Sequence, residues 1–281
     1  MNKIGSSETI RKTTFDFYNY KQNTVPHKKH IDTSFLEWFV GFTEGGTPFI
    51  VSNQRLFFII NQKESKILYY IRTNLGFGKV SIYHTYSRYI VADKTNVDRL
   101  ISIFNGNLLL DKSYASFKLW LDALNSSTPL LAQNKDFCFN GNGWLSGFID
   151  AKGCFNGQKI IDKRYTSGFR VGLRFILDQK NEYKVLKKVQ LLLQSGSIGI
   201  SKQVTEKPIQ KDKMYRFACT NINGHHKVAE YLKRYPLRTL KKVCFLRWQK
   251  VCNYIKNGKY LFSQGKVLDR VENLIKNINY F

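Results

Sequence analysis

Apolar positions along this chain alternate between a helical and a strand period, and they do so in the same order twice. From Phe35 to Thr43 an apolar stretch (FLEWFVGFT) opens directly after Asp32, Thr33 and Ser34, any of which can cap a helix. The segment TPFIVSNQRLFFIINQ then reads as two strands, followed by a helix over Lys66–Leu75, strand pattern over Lys79–Ala92, and helices over Asn96–Phe104 and Tyr114–Leu124. After residue 142 the series restarts. A helix is expected over Gly143–Ala151, strands across Lys159–Leu177, a helix over Glu182–Gln194, strands through Ser197–Cys219, and helices over His225–Tyr235 and Leu240–Lys256. In outline each half is αββαββα, which makes the chain α+β.

The two halves share residues as well as pattern. WFVGFTEGGTPF, Trp38 to Phe49, matches WLSGFIDAKGCF, Trp144 to Phe155. Further on, FFIINQKESKILYYIRTNLGFGKV lines up with LRFILDQKNEYKVLKKVQLLLQSGSI, setting Gln62 opposite Gln179, and DKSYASFKLW with LKKVCFLRW sets Lys112 opposite Lys241. Self-similarity at domain-sized spacing predicts two like halves about a pseudo-two-fold axis. Small residues four apart, Gly41 with Gly45 and Gly147 with Ala151, would let the two repeated helices approach closely as the central interface. The expected organisation is a polar basic extension over 1–30, a first repeat over 31–125, a linker over 126–142, a second repeat over 143–258, and a tail or helix over 259–281.

Charge then narrows the partner. The 281 residues carry 45 Lys+Arg against 20 Asp+Glu, a formal charge of +25 and a pI near 9.8, while 43% hydrophobic content still supports folded cores. Cations dispersed along the chain and interleaved with Tyr, Phe and Asn suit a surface that follows a phosphate backbone. No apolar run approaches the roughly 18 residues of a membrane span. The five cysteines, Cys138, Cys154, Cys219, Cys244 and Cys252, form no CxxC pair and no set at zinc spacing, which speaks for a reducing compartment. Frequent Lys, Asn, Ile, Phe and Tyr, all served by A/T-rich codons, hint at an organellar genome.

The repeated helix carries a nine-residue motif, LSGFIDAKG at Leu145–Gly153, with a weaker copy, FVGFTEGGT, at Phe39–Thr47. From about Ser34 to Lys256 the chain resembles single-chain LAGLIDADG homing endonucleases and their group I intron maturase relatives. The resemblance implies two αββαββα halves whose sheets form a β-saddle over nucleic acid, with the motif helices at the centre and a monomeric, pseudo-symmetric whole. It further implies that outward strand side chains read bases and phosphates. Candidates are Asn53, Gln54, Arg55, Lys79, Tyr83, His84 and Arg88 in the first sheet, and Lys159, Lys163, Arg164, Arg170, Arg174, Lys202 and Lys213 in the second.

One departure decides the functional expectation. The family's catalytic acid is the eighth motif residue, which here is Gly46 in one copy and Lys152 in the other. A hard cation such as Mg²⁺ needs anionic oxygen ligands to drive phosphodiester hydrolysis, so no cofactor is expected. Glu44 and Asp150 occupy the sixth position, about 200° around the helix; should they serve as metal ligands, Mg²⁺ would be the cofactor. By resemblance, Gln62 and Gln179 correspond to polar residues near the attacking water, and Lys112 and Lys241, with Lys242 beside it, to basic residues that stabilise phosphate charge. The reading is a cleavage-deficient binder, most simply an intron maturase that holds structured RNA in the matrix of a mitochondrion or other organelle. The rivals are an active double-strand DNA endonuclease, a structural protein of an organellar ribosome or RNA particle, and a DNA-binding regulator.

Overall fold

The computed structural model describes residues 14–28, 30–53, 55–124, 128–201, 212–258 and 265–280. The first half runs α2 (Thr33–Glu44), β1 (Phe49–Ser52), β2 (Arg55–Gln62), α3 (Ser65–Leu75), β3 (Lys79–Ile82), β4 (Ser87–Val91), α4 (Lys94–Phe104) and α5 (Asp111–Ala123), preceded by a short α1 (Tyr18–Gln22). The second half repeats it as α6 (Trp144–Lys152), β5 (Cys154–Ile161), β6 (Phe169–Lys180), α7 (Tyr183–Leu193), β7 (Ser197–Ile200), β8 (Met214–Cys219), α8 (Ile222–Arg234) and α9 (Lys241–Asn257); a last helix, α10, spans Lys266–Lys276. Each half holds a four-stranded antiparallel sheet, with the orders β1-β2-β4-β3 and β5-β6-β8-β7.

The period-two pattern explains why each sheet buries one face. In β2, Leu56, Phe58 and Ile60 point into the core while Arg55 and Asn61 are exposed; in β6, Val171, Leu173, Phe175 and Leu177 are buried while Arg174 is exposed. The buried faces are covered by helices through matching aromatic sets. Phe49 meets Phe117 and Trp120 at 5.1 and 5.4 Å between ring centroids, and Phe155 meets Phe245 and Trp248 at 5.5 and 5.3 Å.

The motif helices α2 and α6 pack against one another in the middle. A Cβ on Gly41 would lie 1.9 Å from the Trp144 carbonyl oxygen, and one on Gly147 would lie 1.9 Å from the Trp38 carbonyl oxygen. No side chain fits in either place, so the backbones touch because these positions are glycine. Gly45 rests in the same way on the Ala151 methyl.

Both terminal segments pack onto the cores of their halves. From Thr14 onward the amino-terminal stretch is part of the first core: Phe15, Phe17, Tyr20, Val25 and Ile31 are all buried. Asn107 clamps it by accepting from the Asp16 N–H at 2.9 Å and donating to the Asp16 carbonyl at 2.7 Å. The buried residues are spaced irregularly among polar ones, so periodicity missed them. At the other end α10 docks on β5, where Gly157 leaves room for Ile275 and Ile278. The stretch 128–143 links the halves without regular helix or strand, yet Phe137 and Phe139 are buried.

Candidate nucleic-acid interface

The sixth-position acids are buried in the helix interface and face a full set of donors. Glu44 Oε1 accepts the backbone N–H groups of Leu109 and Leu110 at 2.9 and 2.8 Å, and Oε2 accepts the Trp144 indole N–H at 2.6 Å. Asp150 repeats this by symmetry: Oδ2 accepts the Trp38 indole at 2.8 Å and the Arg238 N–H at 2.7 Å, and Oδ1 accepts the Thr239 hydroxyl at 2.5 Å. Each acid ties the loop before the last helix of its own half to a tryptophan of the other half. Burial pushes the Glu44 carboxyl up to about 8 and raises that of Asp150, against the pull of those donors.

A second exchange of the same kind links the halves further out. Glu64, which precedes α3, accepts the Leu240 N–H at the start of α9 at 2.8 Å; Glu182, which precedes α7, accepts the Lys112 N–H at the start of α5 at 3.1 Å. Each carboxylate thus sits at the positive end of a helix of the opposite half. Sequence reasoning missed both acids, which fall one position apart in the aligned segments QKES and QKNE.

The eighth-position residues lie where α2 and α6 end. Gly46 and Lys152 share a cavity of 250 Å³ with Thr43, Asn61, Gln62 and Ala151. Lys152 is exposed, and its charge reaches both Lys112 and Lys241. Desolvation first, and then the neighbouring Lys152, holds Lys112 below the ordinary lysine range; desolvation does the same to Lys241, with a smaller push from Lys152 against the pull of Asp150. Lys241 Nζ donates to the Ile149 and Asp150 carbonyls at 3.0 and 2.9 Å, capping the negative end of α6. Lys152 and the Lys241 amine thus both stand at the carboxyl end of α6.

That junction does not fit a divalent cation. Gly46 offers no ligand, Lys152 offers a positive charge, and the Glu44 and Asp150 oxygens point into the helix interface rather than the cavity. Among the described residues no cluster of three or more His, Cys, Asp or Glu side chains stands together.

The open faces of the sheets collect most of the proposed contact residues. Arg55, Lys79 and Arg88 lie there in the first sheet, with Tyr83 and His84 at the β3–β4 turn and Asn53 in the β1–β2 turn at φ +47°. Arg170 and Arg174 lie on the open face of the second. Lys163 and Arg164 sit in the β5–β6 turn, where Arg164 is paired with Asp162, and Lys213 leads into β8. Gln54 and Lys202 lie outside the described residues.

Three of the named residues lie on the helix-covered sides of their sheets. Lys159 opposes Val171 on the helix-covered side of its sheet, where Glu272 of α10 binds its amine at 2.6 Å. Gln62 and Gln179 also belong to the covered faces, and Gln179 is 3% exposed, though Gln62 still lines the central cavity. Their chain predecessors face outward instead. Asn61 accepts from Arg88 Nε at 2.9 Å, and Asp178 pairs with Arg216 through two bonds of 2.7 and 2.6 Å, a matched cross-strand pair in each half.

A sequence profile described as LAGLIDADG endonuclease matches residues 39–124 and 145–252, one match per half. The chain belongs to the LAGLIDADG endonuclease family. Over 236 residues, 80% of its length, it is 34% identical to "Probable intron-encoded endonuclease 4" of Neurospora crassa, and it spans 41% of that longer relative. It is 27% identical over 99% of its length, and 84% of the relative's, to "Uncharacterized cox1 intron-2 37.2 kDa protein" of Schizosaccharomyces pombe. Among solved structures, the meganuclease I-SmaMI bound to uncleaveable DNA superposes with a TM-score of 0.74 at 14% identity, covering 89% of this chain and 100% of that one. The I-LtrWI homing endonuclease bound to target DNA gives 0.72 at 15%, covering 89% and 99%. The LAGLIDADG fold, two pseudo-symmetric halves whose sheets form a saddle, is therefore established, while the central acids that this LAGLIDADG chain lacks are a matter of its own residues.

Proposed function

We propose that this LAGLIDADG protein binds nucleic acid without cutting it, and that its ligand is structured RNA held as an intron maturase would hold it. The observation that carries the reading is the central junction, where Gly46 and Lys152 stand in place of two carboxylates and the Lys241 amine lies at the same end of α6 as Lys152. Positive charge there favours a phosphate group directly, without a bridging metal. The surplus of 25 positive charges supplies the long-range attraction.

In that mechanism the chemistry belongs to the RNA, and the protein contributes a rigid cationic surface. RNA helices are recognised through shape, phosphates and 2′-hydroxyls more than through base edges, which suits open sheet faces dressed with Arg55, Lys79, Arg170 and Arg174. The names of the relatives, one of them a cox1 intron product, support an intron-encoded origin and a place in the mitochondrial matrix. They equally name endonucleases, so an active DNA endonuclease is the reading to be tested against.

The experiment is to crosslink the protein in its native organelle and sequence the nucleic acid that comes with it, alongside a Mg²⁺ cleavage assay on DNA spanning the matching uninterrupted gene junction. Recovery of one intron's RNA and intact DNA support the proposal. Ribosomal RNA would make it a particle component, and Mg²⁺-dependent double-strand cutting would overturn it.

A further inference from the structure

The tip of the first sheet carries a feature that phosphate binding does not use. Tyr83 and Tyr86, at the two ends of the β3–β4 turn, stack with ring centroids 4.9 Å apart and 23° between planes. The turn is closed by the Tyr83 N–H donating to the Tyr86 carbonyl at 2.8 Å. Arg88 lies against both rings, its guanidinium carbon 5.7 and 5.6 Å from their centroids. That guanidinium is itself fixed, by Asn61 at 2.9 Å and by the Tyr86 hydroxyl at 3.3 Å. Arg88 and Ser81 oppose one another on the open face, so the stack belongs to the face proposed to meet nucleic acid. Tyr83 is 46% exposed.

Stacked tyrosines backed by a held arginine form a rigid, flat, electron-rich surface with one side open. Turn side chains of this size would ordinarily be free to rotate, and leaving one aromatic ring ordered at a surface withdraws little conformational freedom when a planar partner arrives. A base inside a duplex already has neighbours on both faces. Only an unpaired base, in a loop, bulge or single-stranded end, can lie on such a ring.

We propose that Tyr83, supported by Tyr86 and Arg88, is a stacking platform for an unpaired nucleobase, and that it selects folded RNA over continuous duplex. The proposal rests on the nucleic-acid reading of the open face. No counterpart is found among the described residues of the second half, where Tyr215 contacts Tyr183 of α7 instead. Residues 201–213, which join β7 to β8, contain no aromatic residue in the sequence, so the platform belongs to the first half and would fix which half of the protein meets the looped region.

The test uses the full chain with two probes that share one stem sequence: a hairpin RNA with a seven-nucleotide loop containing 2-aminopurine, and the same stem as an uninterrupted RNA duplex with 2-aminopurine paired inside it. The expected result is quenching of loop fluorescence on binding and tighter affinity for the hairpin. Tyr83→Ala should weaken hairpin binding by about 5- to 150-fold, the factor typical of one lost base–aromatic stack, weaken duplex binding by a much smaller factor, and abolish the quenching; Tyr83→Phe should retain all three properties. A Tyr83→Ala protein that keeps the quenching, or loses hairpin and duplex binding equally, overturns the platform alone. Natural protein that binds neither probe at low salt overturns the nucleic-acid reading and the platform with it.

Discussion

Trp144 donates its indole N–H to Glu44 at 2.6 Å across a hundred residues of chain, and both side chains are buried. The bond gives the carboxylate one donor from the opposite half beside two backbone donors from its own. Trp144→Phe keeps a six-membered ring against Phe148, the present pair standing at 4.7 Å, but removes the donor and part of the buried indole volume. The expected loss is about 1–3 kcal/mol for the buried acceptor left unsatisfied, with a cavity cost added to it. Urea unfolding measures it, and a double-mutant cycle with Glu44→Gln should give a coupling well above zero. Additive effects would mean that the indole and the carboxylate contribute separately.

Two glycines of the same motif should respond oppositely to alanine. Gly147 abuts the Trp38 carbonyl, so Gly147→Ala must push α2 and α6 apart, with a loss of about 1–3 kcal/mol or more. Gly46 has open space, the nearest atom to an added Cβ being the Thr43 carbonyl oxygen at 3.6 Å. Gly46→Ala should stay within about 0.5 kcal/mol of the natural chain. Thermal unfolding of both variants separates a glycine required by packing from one that stands where an acid is missing.

The parts legible in the sequence were those with a repeat or a regular period behind them. Trp38 and Trp144, with small residues at fixed offsets, announced the central helix pair because close backbone approach restricts composition strongly. Glu44 and Asp150, set about 200° around the helix from the eighth position, each accept an indole N–H from the neighbouring half. Lys112 and Lys241 were correctly matched, since each follows the loop whose backbone meets a sixth-position acid. What the sequence hid was register and distance. Gln62, matched to a polar residue of the reacting centre, lines the central cavity, while Asn61 and Asp178, one residue earlier, face outward, a difference set by strand register that the pattern does not show. Lys159 was lost to Glu272, a partner 113 residues away on a helix with no repeat to place it. Phe15, Phe17 and Tyr20 lie in a segment whose polar composition concealed a few long-range core contacts.

The lowered pKa values of Lys112 and Lys241 give binding a pH signature. An amine binds phosphate as the cation, so its contribution is complete below its folded pKa and is lost as pH rises through it, before the ordinary lysine value near 10.5 is reached. RNA affinity should therefore begin to decline at a lower pH than ordinary surface lysines would allow, below the ordinary lysine value. Lys112→Arg keeps its charge at those pH values and should flatten the decline. Fluorescence anisotropy at fixed salt reads both curves; parallel slopes for the natural protein and the Lys112→Arg variant would remove Lys112 from the phosphate contact.

Restoring the missing acids is the sharpest test of the central junction. Gly46→Asp with Lys152→Glu places two carboxylates at the ends of α2 and α6 and removes one ammonium group, a local change of three charge units toward negative. The cavity of 250 Å³ beside them and the space above Gly46 accommodate the new side chains. The neighbouring Lys112 amine, relieved of Lys152 and given carboxylates instead, should rise toward its ordinary pKa. Mg²⁺ should then stabilise the double variant against unfolding and leave the natural chain unchanged, which thermal unfolding with and without the metal reports independently of any cleavage. Double-strand cutting by the variant on a DNA target bound by both proteins, with none by the natural chain, would show that the fold retains everything cleavage needs except the two acids. If the natural chain cuts, and Glu44→Gln or Asp150→Asn abolishes that activity while the folded state survives, the sixth-position acids are the metal ligands and the assignment of the eighth position as the lost site is wrong.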